Sequence, residues 1–228
     1  GNGNAVAAYH RLTGDKLWSA GDDPASYSAP RIETLLGVRQ LLIFDGLGLA
    51  GHALEDGKPL WRFPWTNDPK VNVAQPIVLG EDSVFIGSGY ATGSTRLQLA
   101  HTGDDWTVKP DWETKRLKMK LSDAVLKDSY IWGLDERILV SLDAETGKVT
   151  KHRRYGYGQL LLCGERILVQ AEDGAVALVE ASPDNFREIA RFQALDGQTW
   201  NHPVLVGGRL LVRNAAEAAC YDVGATSK

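Results

Sequence analysis

Apolar residues in this chain fall into short runs of four to seven, with glycine recurring between them. Gln40-Leu41-Leu42-Ile43-Phe44, Ser83-Val84-Phe85-Ile86, Ile138-Leu139-Val140-Ser141-Leu142 and Arg166-Ile167-Leu168-Val169 are typical. Runs this short, rich in Val, Ile and Leu and interrupted by glycine, predict β-strands; a helix would need a longer stretch with a 3.6-residue period. Pairs such as Gly80-Glu81, Gly164-Glu165 and Gly207-Gly208 lie between successive runs. Their chemistry is that of tight hairpins.

The runs recur as a unit. Ala5-Val6-Ala7-Ala8-Tyr9 leads into Thr13-Gly14-Asp15-Lys16-Leu17-Trp18, and Leu49-Ala50-Gly51-His52-Ala53 leads into Asp56-Gly57-Lys58-Pro59-Leu60-Trp61. Ile138–Asp143 leads into Glu145-Thr146-Gly147-Lys148-Val149, which no Trp follows, and Thr102-Gly103 falls on the same beat. Each unit reads strand, turn, strand, loop, strand, Thr-Gly turn, strand, with a period of about 43 to 46 residues, which predicts an all-β propeller of four-stranded antiparallel blades. A large β-sandwich would not explain the recurring turn.

The predicted organisation is a single domain over residues 1–228. It has a partial blade at 5–20, blades at about 26–65, 72–115, 120–155 and 157–193, and a partial blade at 200–223. About five blades are thus present. Open sheet edges invite pairing, so incomplete end blades predict a homodimer.

Composition narrows the partners. With 43% hydrophobic and 24% charged residues the chain is an ordinary globular sequence, and 24 glycines fit many turns. A net charge of −4 gives no electrostatic basis for binding nucleic acid. No run approaches the roughly 18 apolar residues of a membrane helix, so no membrane insertion is expected. Five histidines stand singly in different units, without the close ligand pair typical of zinc sites. Gly87-Ser88-Gly89-Tyr90-Ala91-Thr92-Gly93-Ser94 lacks the Gly-Lys-Ser/Thr ending of a phosphate loop and reads as a β-loop. The basic run Lys148, Lys151, His152, Arg153 and Arg154 reads as a solvated face of an outer strand.

Ala8-Tyr9 followed by Thr13-Gly14 and Leu17-Trp18 resembles the repeat of pyrroloquinoline-quinone (PQQ)-like propellers. Asp22-Asp23-Pro24-Ala25-Ser26-Tyr27-Ser28 and Arg62-Phe63-Pro64-Trp65 resemble a bacterial subgroup often named "alcohol dehydrogenase-like". The resemblance covers nearly the whole chain and implies the C-terminal portion of an eight-bladed ring, exported to the periplasm or beyond. It also implies that the outer-strand Trp packs near a neighbouring blade's turn glycine. The family's dehydrogenases carry adjacent cysteines against PQQ, a stacked Trp, and calcium held by Glu, Asn and Asp. Cys163 and Cys220 are not adjacent, and no calcium-loop spacing appears. No cofactor is therefore predicted; PQQ with calcium belongs to the alternative reading.

The candidate site is the set of residues preceding the inner strands, which line the mouth of a propeller's channel: Tyr27, Asn72, Gln75, Lys120, Asp123, Tyr157, Gln159, Trp200 and Asn201. Aromatic and amide groups converging there suit a protein partner or a small polar ligand. Capping of loop backbone is the competing role for the same residues. No catalytic set is visible, and Asp123 near Lys120 reads first as an ion pair and second as a general base. The leading expectation is a non-catalytic binding scaffold. The alternatives are a PQQ-dependent alcohol or sugar dehydrogenase, or a truncated relative of one, and a sensor or carbohydrate-binding domain.

Overall fold

The computed structural model describes residues 2–224, and among these no helix occurs. The chain divides into two compact units, residues 1–120 and 121–228.

The first unit holds three antiparallel sheets. β1 (Val6–Tyr9) pairs with β2 (Lys16–Ala20). β3 (Arg31–Leu35), β4 (Val38–Phe44), β5 (Gly48–Ala53) and β6 (Pro59–Pro64) form a four-stranded meander. So do β7 (Ile77–Val78), β8 (Ser83–Ser88), β9 (Gly93–Thr102) and β10 (Asp105–Thr114). The second unit begins with the meander β11 (Val125–Lys127), β12 (Tyr130–Asp135), β13 (Ile138–Asp143) and β14 (Val149–Arg154). Next comes β15 (Gly158–Cys163), β16 (Arg166–Ala171), β17 (Ala175–Glu180) and β18 (Arg187–Gln193). The last sheet has three strands, β19 (Val204–Val206), β20 (Arg209–Arg213) and β21 (Ala218–Asp222). Sequential four-stranded meanders are propeller blades.

Burial explains the composition of each strand. Middle strands are covered on both faces, so β8 and β13 are nearly continuous apolar runs. The cores lie between successive sheets. Leu42, Phe44, Leu49 and Trp61 pack against Val84, Ile86, Leu97 and Leu99, and Trp132, Leu134 and Leu139 against Leu160, Ile167 and Val179. Leu168 and Val176 meet Leu210 and Val212. Outer strands are polar, as in β14 and β18.

The turn glycines do more than reverse the chain. Gly57 has φ +75°, and a Cβ there would sit 2.5 Å from the ring of Trp18. That ring comes from the preceding sheet, and its Nε1 donates to Leu54 O at 2.9 Å. A side chain at 57 would therefore be strained twice, by backbone and by ring. Trp61 is buried differently. It lies over Gly51 of its own sheet and donates from Nε1 to Gln40 Oε1 at 2.6 Å. His152 leaves the solvated face expected for its basic run: its ring stacks on Trp132 at 4.8 Å and on Phe186 at 5.0 Å, and Nε2 lies 2.8 Å from Ser141 Oγ.

Candidate functional site

In the first unit, the loops before β3 and β7 are tied to each other. The amides of Tyr27 and Ser28 both donate to Asn72 O at 3.0 Å, and Ser26 Oγ donates to the same oxygen at 2.8 Å. Asn72 is fully buried. Its Nδ2 donates to Asp45 O at 2.6 Å and Trp65 O at 3.1 Å; its Oδ1 accepts from Ser88 Oγ at 2.5 Å and Asn67 Nδ2 at 3.3 Å. An amide offers two donors and two acceptor lone pairs, so Asn72 is saturated within the protein. Gln75 is half-buried nearby in sequence. Tyr27 projects with 74% of its surface exposed. Lys120 Nζ stands 5.3 Å from the Tyr90 ring centroid, a cation–π distance.

A charged cluster that sequence reasoning missed sits beside these loops. Arg62 of β6 donates to both oxygens of Asp45 at 3.1 and 2.7 Å, and to Asp23. Asp45 is buried and also accepts the amides of Leu47 at 2.8 Å and Gly48 at 3.1 Å. The guanidinium pKa is raised, first by the Asp45 hydrogen bond. A bidentate pair between a turn carboxylate and the neighbouring outer strand fixes the angle between them. A cavity of about 230 Å³ lies alongside, lined by Val6, Ser28, Phe44, Asp45 and His52 among others. The sequence signal was the Arg-Phe-Pro-Trp string, whose Arg has its carboxylate partner 17 residues upstream.

In the second unit, a set of hydrogen bonds gathers around the segment before β19. Gln159 Nε2 donates to Leu121 O at 2.7 Å and Trp200 O at 3.1 Å. Gln170, its direct cross-strand partner, donates to Asn201 O at 2.6 Å. Thr199 is fully buried and its amide donates to Glu172 O at 2.9 Å. Asn214 Nδ2 donates to Asp196 O at 2.8 Å, and the Asp196 amide donates to Glu217 Oε1 at 2.6 Å. These bonds leave the Trp200 side chain 50% exposed. Beside it His202 Nε2 lies 3.2 Å from Asp123 Oδ2.

The amide orientations of both glutamines are set by chemistry, because carbonyl oxygens can only accept. Their Oε1 atoms are buried and have no hydrogen-bond partner among the described residues. Gln170 and Thr199 were not singled out by sequence; a lone Gln within Arg-Ile-Leu-Val-Gln-Ala was the available signal. Tyr157 is held separately, with the Arg137 guanidinium 4.9 Å from its ring centroid. Tyr155 points into the core and donates to Glu188 Oε2 at 2.7 Å; burial raises its pKa well above the ordinary phenol value.

The residues present do not fit a quinone with calcium. Cys163 and Cys220 are both free and lie on different strands, and burial pushes the Cys163 thiol pKa up. Among the described residues no group of three or more His, Cys, Asp or Glu is placed to hold a metal ion. The Ser141–His152 pair is roofed by Trp132 and Phe186, and burial lowers the imidazole pKa.

A family model described as outer membrane protein assembly factor BamB, of the PQQ-like type, matches residues 1–153. No curated protein sequence gives a match. Among solved structures, BamB from Moraxella catarrhalis superimposes with a TM-score of 0.57 at 17% identity, covering 94% of this chain and 77% of that one. Sqt1 of Saccharomyces cerevisiae gives 0.63 at 13% identity, covering 96% and 66%. The computationally designed Ika8 protein gives 0.61 at 12%, covering 92% and 62%. The chain thus spans about three quarters of the BamB structure and about two thirds of the other two. At these identities the structural likeness shows the fold, a β-propeller.

Proposed function

Because this chain belongs to the family of outer membrane protein assembly factor BamB, we propose that it is a non-catalytic propeller scaffold that grips a protein partner through the loops preceding its inner strands. Residues 1–228 act as one domain in this reading, with the blade limits given by the repeat. The partner is a component of an outer-membrane protein assembly machinery, and the work is done in the periplasm. Trp200 is the principal anchor; Asn201 and Asp123 form its polar rim, and Gln159 acts from beneath.

One observation carries the reading: a half-exposed Trp stands on a segment fixed by buried hydrogen bonds from Gln159, Gln170 and Thr199. An aromatic displayed on a rigid support gives contact area with little ordering entropy to lose on binding, the property of an interface anchor. Tyr27 is displayed similarly in the first unit, on a loop tied to Asn72. Asn72 itself supports that loop from inside.

Site-specific photo-crosslinking in cells tests this. A crosslinker at position 200 or 123 is expected to capture one outer-membrane assembly component, whereas one at Lys151 on β14 captures none. Equal capture from all three positions would overturn the reading. So would saturable PQQ and calcium binding by the purified chain with alcohol- or sugar-dependent dye reduction, which would make it a dehydrogenase.

A further inference from the structure

Aspartate is followed by glycine at four places: Asp45-Gly46, Asp56-Gly57, Asp173-Gly174 and Asp196-Gly197. This dipeptide carries a latent reaction, attack of the glycine amide nitrogen on the aspartate Cγ, because no Cβ on the glycine stands in the way. The attack needs an amide that is not engaged as a donor and a carboxyl group free to turn. Three of the four sites withhold both. Gly46 N donates to Pro24 O at 3.0 Å, Gly57 N to Ala53 O at 3.1 Å and Gly174 N to Ala171 O at 3.0 Å. Their carboxylates are held as well. Asp45 is gripped by Arg62, Asp56 Oδ1 accepts the Lys58 amide at 2.9 Å, and Asp173 Oδ1 accepts the Ala175 amide at 3.1 Å.

Asp196-Gly197 is built the other way round. Asp196 is fastened by its main chain: its amide donates to Glu217 Oε1 at 2.6 Å and its carbonyl accepts from Asn214 Nδ2 at 2.8 Å. Its carboxylate and the Gly197 amide have no hydrogen-bond partner among the described residues, and both residues are exposed. Gly197 holds φ +80°, and a Cβ built there would meet nothing within 4 Å, so the space around this residue is open. The chain itself supports this loop on both sides. The Thr199 amide rests on Glu172 O in the β16–β17 turn, and Asn214 and Glu217 belong to the β20–β21 turn.

We propose that Asp196 is a modification site, the place where the folded chain spontaneously forms isoaspartate. Gly197 N bonds to Asp196 Cγ, the bond from Cγ to its hydroxyl oxygen breaks, and that hydroxyl leaves as water with the amide proton. A second water opens the cyclic imide. Attack at Cγ restores aspartate; attack at the former main-chain carbonyl carbon leaves the chain running through Cβ and Cγ, with a free carboxylate on Cα. Water is the only co-reactant. The main chain is then longer by one methylene. The carbonyl that Asn214 Nδ2 held has become a carboxylate, on the Cα whose amide reaches Glu217, so two like charges approach each other. Added length and repulsion both act against the contacts that fasten the segment. Isomerisation therefore loosens the support of Trp200, and it does so whether or not Trp200 meets a partner.

Ageing the full chain for weeks in heavy-oxygen water at neutral pH tests the proposal, with peptide mapping that separates isoaspartate from aspartate. Each imide opening leaves a heavy oxygen at the reacting residue. In the folded chain the label and the isomer are expected at Asp196. At Asp45, Asp56 and Asp173 conversion should be about tenfold slower or more, because a hydrogen bond must open before the amide can react. In urea all four sites should convert at similar rates. Asp196→Glu, which keeps the charge but must close a larger ring, should abolish the reaction there while circular dichroism is unchanged. Amide exchange across 197–202 should quicken in the aged parent and stay slow in aged Asp196→Glu. An Asp196 that converts in urea but not in the folded chain would overturn the proposal, since the fold would then protect it. Equal conversion of all four sites in the folded chain would overturn it too, and exchange that is unchanged in the isomer would sink the loosening of the segment.

Discussion

Two loops that enter inner strands solve the same problem in opposite ways. The loop before β7 turns its amide side chain inward: Asn72 satisfies two carbonyls, one hydroxyl and one amide, and vanishes from the surface. The loop before β19 is held from outside itself. Gln159 and Gln170 on β15 and β16 reach up to its backbone carbonyls, which frees Trp200 to face solvent. The same structural need, pairing buried backbone in a loop, is met in one case by spending the loop's own side chain and in the other by borrowing from the sheet. Only the second arrangement leaves a large side chain facing solvent.

The sharpest test of this contrast is Asn72→Ala. It strands the carbonyls of Asp45 and Trp65 and removes the acceptor of Ser88, at a cost of about 3 kcal/mol. Urea unfolding followed by tryptophan fluorescence should show the midpoint falling with an unchanged slope. A loss below about 1 kcal/mol would mean that the Ser26 contacts to Asn72's backbone set the loop, and the contrast would collapse. Ser88→Ala should cost less, about 1–2 kcal/mol: Asn72 Oδ1 keeps a second donor in Asn67, while Trp65 Nε1 loses its acceptor. The two changes share a partner, so their effects should not add.

Gln170→Ala comes next, with an expected loss of about 1–2 kcal/mol. It removes the bond to Asn201 O but also deletes an Oε1 that is buried without a partner, and the second change offsets part of the first. Amide exchange should quicken across residues 196–202, while the loop before β7 is unaffected. Exchange that stays slow would show that Thr199 and Asn214 suffice to hold the segment. Adding Gln159→Ala should then release it, since Gln159 holds both Leu121 O and Trp200 O.

What could be read from the sequence follows the range of the interactions. Strands, hairpins and the four-strand period rest on neighbours a few residues apart, so runs such as Arg166-Ile167-Leu168-Val169 and the turn glycines announce them. The position of Trp200 before an inner strand is legible for the same reason. The difference between Asn72 and Trp200 is not legible, because it depends on partners far along the chain: Ser88 for one, Gln159 and Gln170 for the other. Arg62 was hidden likewise, since its carboxylates stand on a turn and a loop upstream. His152 looked solvated among Lys151, Arg153 and Arg154, and only the rings of Trp132 and Phe186 bring it under cover. Polar residues read ambiguously when their partner is distant.

The smallest expected effect on stability belongs to Trp200→Ala. Its side chain is half in solvent, and the segment beneath it is fixed through its backbone carbonyl rather than through its ring. Truncation should therefore shift the unfolding free energy by no more than about 0.5 kcal/mol, as for surface substitutions generally. Loss of an interface anchor, however, costs about 2 kcal/mol or more in binding, some thirtyfold in Kd. The variant should fold and melt like the parent, yet lose partner crosslinking at Asp123. Tyr27→Ala, in the other unit, should be equally silent in unfolding. If Trp200→Ala instead destabilises the chain by as much as Gln170→Ala, the ring is a packing element of its own loop. The two loops would then differ only in which side chain they keep for themselves.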